Sequence, residues 1–174
     1  VFAFDQTGCN APHHFILEAG SKFDLSYVVE RLEEAFEKKS KQNLFVREPI
    51  DTFNILVKEF LYNSQKHTTS HNSDNGNWNI FVTQDLLSSL EEPLYGRSIF
   101  VSAIDNVDAL GRILPTNIQS VGLFTSKSTK ISIMTKLATY GVDRFPDLGS
   151  MSIYQNPWDG YLPMQNMVKW ISSN

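Results

Sequence analysis

Two segments in the first third of the chain carry apolar side chains at the spacing of an α-helix. Residues 23–41 repeat them every three to four positions, at Leu25, Val28, Val29, Leu32 and Phe36. Residues 52–66 repeat the pattern at Phe53, Leu56, Val57, Phe60 and Leu61. Asp24 suits the N-cap of the first helix, and the lysines at 38, 39 and 41 suit its C-terminal end. Both segments are therefore predicted to be amphipathic helices.

Short runs rich in β-branched and aromatic residues predict strands. They are HHFILE (13–18), WNIFVT (78–83), SIFVSAI (98–104) and IQSVGLFT (118–125), with two short extended pieces at 142–147 and 150–155. The polar segment HTTSHNSDNGN (67–77) between them is rich in turn formers and predicts an exposed loop.

Three further helices complete the pattern. Residues 106–114 read as a helix capped by Asp105, and residues 127–141 as a helix that ends at Gly141. Residues 161–173 predict a last helix with Pro163 in its first turn. Its expected apolar face is Met164, Met167, Val168 and Ile171. Because strands and helices alternate, we expect an α/β fold with a mostly parallel or mixed sheet packed by helices.

Composition narrows the class of protein. The chain has 174 residues, 41% of them hydrophobic, which suits one globular domain with a substantial core. A net charge of −4, with no basic run longer than EKKSK, argues against a nucleic-acid partner. No apolar run approaches the roughly 20 residues that span a bilayer. A single cysteine cannot form an internal disulfide, so we expect a cytoplasmic protein.

Common catalytic and cofactor motifs are missing. The sequence contains no G-x-x-x-x-G-K-[ST], no G-x-G-x-x-G, no C-x-x-C and no G-x-S-x-G. His67 and His71 have helical ligand spacing but lie in the predicted loop, so we expect no metal site. Glu91 and Glu92 precede PLYGR, where a solvated turn that pairs with Arg97 is the simplest interpretation.

Cys9 is the one candidate nucleophile. Gly8 before it permits a tight turn, and main-chain N–H groups of such a turn stabilise a thiolate and an oxyanion. His13 and His14 follow closely, but alternate strand residues face opposite ways, so at most one could reach the thiol. Free cysteines are also among the most buried residues. The residues alone therefore favour an inert thiol over a nucleophile.

Four stretches in order change that balance, because they resemble the acyl-CoA reductases of the aldehyde dehydrogenase superfamily. They are FDQTGC (4–9), EEPLYGRSIFVSAIDNVDAL (91–110), QSVGLF with LATYGVDRF (119–145) and NPWDGYLPMQNMVKWIS (156–172). The resemblance includes the reductase of the bacterial bioluminescence fatty-acid reductase complex and covers nearly the whole chain. Gly8 is a departure, since alanine is expected there.

The resemblance implies a three-layer αβα, aldehyde dehydrogenase-like catalytic domain over residues 1–174. Cys9 maps onto the nucleophile that accepts a long-chain acyl group as a thioester, which NADPH or NADH then reduces to the aldehyde. EEPLYG is similar to the segment whose glutamate holds the nicotinamide ribose, which gives Glu92 that role and makes Glu91 its substitute. The chain begins with Val1, so we expect the nucleotide-binding half, and any general-base glutamate, upstream of it.

The implied partners are a fatty acyl-CoA or an acyl-protein, an acyl-protein synthetase, and further copies of the full-length protein. Two alternatives remain open. The domain could belong to a dehydrogenase that oxidises aldehydes. It could also serve only in oligomerisation or docking, with Cys9 inert.

Overall fold

The computed structural model describes residues 1–2, 6, 8, 10–42, 49–64, 67–91, 94–154, 157, 160–169 and 171–172. These residues form two compact units, Val1–Ile113 and Leu114–Asn174. The first contains a sheet with helices, and the second contains one longer helix and a short one.

A four-stranded mixed sheet organises the first unit. Its strands are β1 (His14–Glu18), β2 (Thr68–Asn72), β3 (Asn79–Thr83) and β4 (Ser98–Ile104), in the order β1-β4-β3-β2. β4 pairs parallel with both β1 and β3, and β2 pairs antiparallel with β3. The prediction of an α/β fold with a mixed sheet is confirmed.

Helix α1 (Leu25–Ser40) covers one face of this sheet. Val29 and Phe36 of the helix pack with Ile80, Ile99 and Trp78 in one buried cluster. Asp24 caps the helix as predicted, since its carboxylate accepts a hydrogen bond from the Tyr27 N–H at 2.7 Å. That bond and one from Ser26 hold the pKa of Asp24 below its usual value.

Helix α2 (Pro49–Asn63) contributes to the opposite face. Tyr62 packs on Phe81 and Phe100, the residues that follow Ile80 and Ile99 and so point to the other side of the sheet. The sheet therefore lies between α1 and α2, which confirms the three-layer αβα prediction. The helix begins three residues before its predicted start, at a proline suited to the first turn.

The predicted loop at 67–77 is wrong over its first half, because residues 68–72 form the edge strand β2. Thr68 pairs with Thr83 of β3, and their hydroxyl groups are 3.0 Å apart. A tight turn at 73–77 joins the two strands, with Gly76 at φ 68° and the Ser73 hydroxyl accepting the Asn77 N–H. An edge strand tolerates polar side chains, which hid it from the hydrophobic pattern.

Two short helices flank β4. Helix α3 (Leu86–Glu91) was not predicted, and its Leu86 and Leu90 are buried. Helix α4 (Val107–Ile113) lies where a helix was expected. Its predicted cap at Asp105 is wrong by one residue, because the Asn106 side chain accepts the Ala109 N–H at 3.0 Å.

The second unit is built around helix α5 (Lys127–Ala138), which the sequence predicted with a longer C-terminal end. Gly141 follows it at φ 95°. The predicted strand at 118–125 is wrong, since only isolated parallel bridges form, Ser120 with Arg144 and Leu123 with Asp147. Pro146 lies between the two bridges and has no N–H to continue the ladder.

The predicted last helix at 161–173 is also wrong in length. Helix α6 (Pro163–Asn166) is a single turn that begins at the predicted proline. Its expected apolar face is exposed: Met164, Met167, Val168 and Ile171, the last at 86%. Short helices depend on packing of an apolar face, and none of these four side chains is buried.

Helix α2 carries an exposed apolar stripe, defined as Phe53, Leu56, Val57, Phe60 and Leu61. Phe60 is 76% exposed, and the stripe lies at helical spacing along one side of the helix. Within the described part of the chain, no helix has the length and hydropathy needed to cross a membrane.

Candidate active site around the cysteine loop

A buried glutamine fixes the segment that precedes Cys9. Gln6 is fully buried, and its amide group bonds to both main-chain groups of Ser98 at the start of β4. The Ser98 N–H donates to Gln6 Oε1 at 2.8 Å, and Gln6 Nε2 donates to the Ser98 carbonyl at 2.7 Å. The side chain thus pairs with β4 as a short piece of strand would.

The same amide group closes a loop around the cysteine position. Gln6 Nε2 also donates to the Pro12 carbonyl at 2.8 Å. Inside this 6–12 closure, the Ala11 N–H donates to the Gly8 carbonyl at 2.9 Å, which makes a tight turn. We call residues 6–12 the cysteine loop. Cys9 itself lies outside the described residues, and it is the central residue of the loop in sequence.

Left-handed backbone conformations mark both sides of the Gln6–Ser98 contact. Among the residues the structure describes, only Gln6 (φ 66°) and Arg97 (φ 64°) combine a side chain with positive φ. Such conformations are uncommon for residues with a side chain, and they persist where surrounding contacts enforce them. Gly96 adds a second left-handed residue before Ser98, so the chain turns sharply into β4.

Arg97 contributes to the same corner from a buried position. Its guanidinium lies 5.6 Å from the centre of the Phe2 ring, a cation–π distance. Phe2 in turn packs edge-on against Phe36 of α1. An ion pair of Arg97 with Glu91 or Glu92 stays a prediction, because those two side chains lie outside the described part of the chain.

Two histidines continue the connection immediately after the cysteine loop. The His13 Nδ1–H donates to the Leu94 carbonyl at 2.5 Å, and the His14 Nε2–H donates to the Ser89 carbonyl at 2.6 Å. A carbonyl oxygen only accepts, so each of these ring nitrogens carries the proton. Both rings are therefore oriented by main-chain groups of the 89–98 segment.

Burial keeps His14 neutral at physiological pH. Its ring stacks on Phe100 with centres 5.2 Å apart, on the α2 face of the sheet. Burial lowers the pKa of His14 to about 4, against the opposing effect of the Ser89 carbonyl. The pKa of His13 is lowered as well, chiefly by burial, with the positive charge of Lys58 acting in the same direction.

The predicted site residues come from two segments that these contacts join. Cys9 belongs to the cysteine loop, and Glu91 and Glu92 belong to the 89–98 segment. The Gln6–Ser98 hydrogen bonds hold the loop against the 89–98 segment, and the His13–Leu94 and His14–Ser89 bonds do the same for the two residues that follow the loop. Glu91 is the last residue of α3, and Glu92 lies outside the described residues. Their roles, and that of Cys9, therefore stay predictions.

The other histidine pair serves a different region. His71 lies in β2, and four residue steps of extended chain place it roughly 13 Å from His67. The His71 ring contacts Glu33 of α1, with Nδ1 2.5 Å from Oε1. In the described ranges, no group of three histidine, cysteine, aspartate or glutamate side chains is arranged to hold a metal ion. An open groove of about 830 Å³ beside this pair is lined by residues of α1, β2 and β3, and by none of the cysteine loop.

Sequence reasoning missed the role of Gln6 and Ser98. Gln6 is part of the FDQTGC stretch, but its partner lies 92 residues away and is a main-chain group. No pattern of side chains in the sequence predicts a contact with a main-chain group. The only local signal is the pair Gly96–Arg97 before a buried strand, which is compatible with a sharp turn.

Fold and site together define a three-layer α/β domain with a cysteine loop anchored against the first residue of a central strand. The family model described as acyl-CoA reductase (LuxC) matches residues 1–170, and the chain therefore belongs to this family. The resemblance drawn from the four sequence stretches is confirmed. A search of curated proteins returned no match.

Proposed function

We propose that this chain is the cysteine-bearing catalytic domain of a reductase that converts a long-chain acyl thioester to the aldehyde. Membership of the acyl-CoA reductase family gives the reaction class. The single observation that carries the assignment to Cys9 is the closure of its loop by Gln6, on both Pro12 and Ser98. A loop this tightly held around one cysteine is expected where the thiol must meet a substrate carbon in a fixed position.

The proposed reaction has two steps. The Cys9 thiolate attacks the acyl carbonyl carbon, the carbon–sulfur bond to coenzyme A breaks, and the released thiolate takes up a proton. The acyl group is then a thioester on Cys9. Reduction of that thioester breaks its carbon–sulfur bond, releases the aldehyde and returns Cys9 as thiolate. Turn N–H groups beside the thiol would hold the oxyanion in both steps.

NADPH, or NADH in its place, supplies the hydride for the second step when bound. The 89–98 segment is suited to hold part of this nucleotide, because the two Gln6–Ser98 hydrogen bonds join the segment to the cysteine loop. Glu92, or Glu91 in its place, would hold the nicotinamide ribose. The sequence has no glycine-rich dinucleotide fingerprint, so we assign most of the nucleotide site to a half of the protein outside these 174 residues.

The proposed partners follow from this chemistry. The acyl donor is a fatty acyl-CoA or an acyl-protein, delivered in the second case by an acyl-protein synthetase. We also propose self-association in the cytoplasm. The exposed apolar stripe of α2 supports it, since a row of exposed aromatic and aliphatic side chains on one helix is typical of an interface.

Direction of reaction separates this proposal from an aldehyde-oxidising dehydrogenase. The full-length protein is supplied with tetradecanoyl-CoA and NADPH, or with tetradecanal and NADP⁺, and aldehyde and acid are quantified. We expect coenzyme A-dependent aldehyde formation and no net oxidation of tetradecanal to the free acid. Free acid formed from tetradecanal without coenzyme A would favour the dehydrogenase, and the absence of both reactions would favour a docking module.

A further inference from the structure

We infer that Gln6 is a positioning residue that sets the reactivity of Cys9 by locking the cysteine loop to β4. This inference deepens the proposed function and rests on it for the identity of the nucleophile. Gln6 touches neither substrate nor cofactor in this proposal. It acts through the backbone of the loop in which Cys9 is the central residue.

The first argument is that every polar atom of the Gln6 amide is used. Oε1 accepts the Ser98 N–H, and Nε2 donates to the carbonyls of Ser98 and Pro12. These three bonds join the start of the loop, its end and the central strand at a single buried group. A glutamine that only filled space would not need its two donors aimed at two different carbonyls.

The second argument is the backbone of Gln6. Its positive φ costs energy for a residue with a side chain, and glycine would adopt it freely. A strained non-glycine residue three positions before a predicted nucleophile indicates that the side chain is needed there. The amide group is the part of that side chain that glycine lacks.

The third argument concerns the contacts of the described loop residues, which are 6, 8 and 10–12. Within it, the described main-chain bond is the turn from Ala11 N–H to the Gly8 carbonyl. Gly8 has no side chain, and a Cβ there would meet only the Asn10 side chain, at 3.2 Å. Among these described residues, Gln6 is the one whose side chain bonds to β4, and it does so at Ser98, the first residue of that strand.

The position of the cysteine loop is expected to affect how easily the Cys9 thiol ionises, because main-chain N–H groups of a turn can stabilise a thiolate. This stabilisation requires that the N–H groups stay directed at the sulfur. Without the Gln6 bonds, we expect the loop to sample other conformations and the thiolate to lose this stabilisation. For a thiol whose pKa lies above 7, an upward shift of one unit leaves about tenfold less thiolate at pH 7.

The test compares Gln6→Gly, Gln6→Met and Gln6→Glu with the native chain and with Gln84→Gly, an exposed glutamine elsewhere in the first unit. Gly accepts the backbone conformation, Met keeps the length, and Glu keeps only the acceptor for Ser98. The rate of Cys9 alkylation by iodoacetamide is measured from pH 5 to pH 10, with thermal melting as a check of folding.

We expect all three Gln6 variants to shift the alkylation midpoint upward by about one pH unit, with the Gln84 variant unchanged. A merely structural role would instead raise the limiting rate at high pH through greater exposure, with the midpoint in place. Native midpoints in the folded Met and Glu variants would overturn the inference. If Gln6→Gly unfolds, the Met and Glu variants still decide it.

Iodoacetamide needs no acyl-CoA, so this experiment is separate from the test of the proposed function. A shifted midpoint in a protein that never accepts an acyl group would leave the inference standing and the proposed function wrong. An acylated Cys9 with unshifted midpoints in the variants would leave the proposed function standing and show that the inference about Gln6 is wrong. As a second readout, we expect the maximal rate of acyl transfer to fall about tenfold or more in the variants, with half-saturation by acyl-CoA unchanged.

Discussion

The Nε2–H of His14 donates to the Ser89 carbonyl at 2.6 Å from a ring stacked on Phe100. This contact joins the first residue of β1 to helix α3, which the hydrophobic pattern of the sequence did not predict. It occupies the interior of the α2 face of the sheet. The hydrogen bond helps to hold the 89–98 segment in place, and the buried His14 ring that forms it is neutral at physiological pH.

Stability of the chain should fall as the pH falls from about 6.5 to about 4. The unfolded chain protonates His14 near pH 6.5, and the folded chain does so only near pH 4. Unfolding therefore takes up a proton in this window, so acid favours the unfolded state, by about 3 kcal/mol at its lower end. Urea unfolding followed at pH 7.5 and pH 4.5 measures the change.

His14→Gln is the matched variant, because it keeps a donor without a titrating ring. We expect a lower free energy of unfolding at pH 7.5 and a smaller loss on acidification than in the native chain. Gln84→Gly is the control, because it changes an exposed side chain and no titrating group. Equal acid sensitivity in native and His14→Gln chains would contradict the role given to His14.

Gly160 in the second unit should not tolerate a side chain. Its φ is 78°, and an added Cβ would lie 2.8 Å from Asp143 Cγ. We expect Gly160→Ala to destabilise the unit by about 1–2 kcal/mol. Gly122→Ala is the control, since its nearest neighbour would be the Leu148 side chain at 3.9 Å. Calorimetric melting compares the two variants. Equal stability of Gly160→Ala and Gly122→Ala would contradict this prediction.

Charges placed in the exposed apolar stripe of α2 should abolish self-association. We expect the paired substitution Phe53→Glu and Phe60→Glu to weaken it about 100-fold or more, because large aromatic side chains dominate interface energies. Analytical ultracentrifugation of the chain over a concentration series measures this. Phe23→Glu is the control at an exposed aromatic outside α2. A monomeric native chain, or an unchanged association constant in the variant, would remove the proposed interface.

The elements with a strong hydrophobic period were predictable, and the polar ones were not. Helix α1 and strands β3 and β4 bury a regular set of side chains, so their patterns identify them. Strand β2 has Thr68 as its one buried residue, because β2 is the edge strand of the sheet that the structure describes. The prediction of a long C-terminal helix was wrong for the opposite reason. Met164 and Met167 have helical spacing, but both side chains are exposed.

The roles of Cys9 and Glu92 stay predictions, and the contacts between their segments are what the sequence did not predict. The FDQTGC and EEPLYG stretches contain Cys9 and Glu92, the residues to which the resemblance assigns a role. Their joining depends on Gln6 and His13 binding main-chain carbonyls more than 80 residues away. A carbonyl acceptor exists at every position of the chain, so the sequence holds no sign of which ones are chosen.

Glu92 should matter more for nucleotide binding than Glu91. If its carboxylate holds the nicotinamide ribose, Glu92→Ala should weaken NADPH binding by the full-length protein about tenfold or more, as expected for a lost hydrogen bond to a charged group. Titration calorimetry compares it with Glu91→Ala and with Glu34→Ala on the exposed side of α1. A dissociation constant unaffected by Glu92→Ala, with a weaker one in Glu91→Ala, would transfer the role to Glu91.

The acyl-accepting role of Cys9 is the centre of the account, and intact-mass measurement with peptide mapping tests it most directly. The protein is incubated with tetradecanoyl-CoA in the absence of nucleotide, alongside Cys9→Ala and the Gln84→Gly control. We expect one tetradecanoyl group on the peptide that contains Cys9, in the native protein and the control alone. A native protein that stays unacylated, or an equal adduct in Cys9→Ala, would contradict the account.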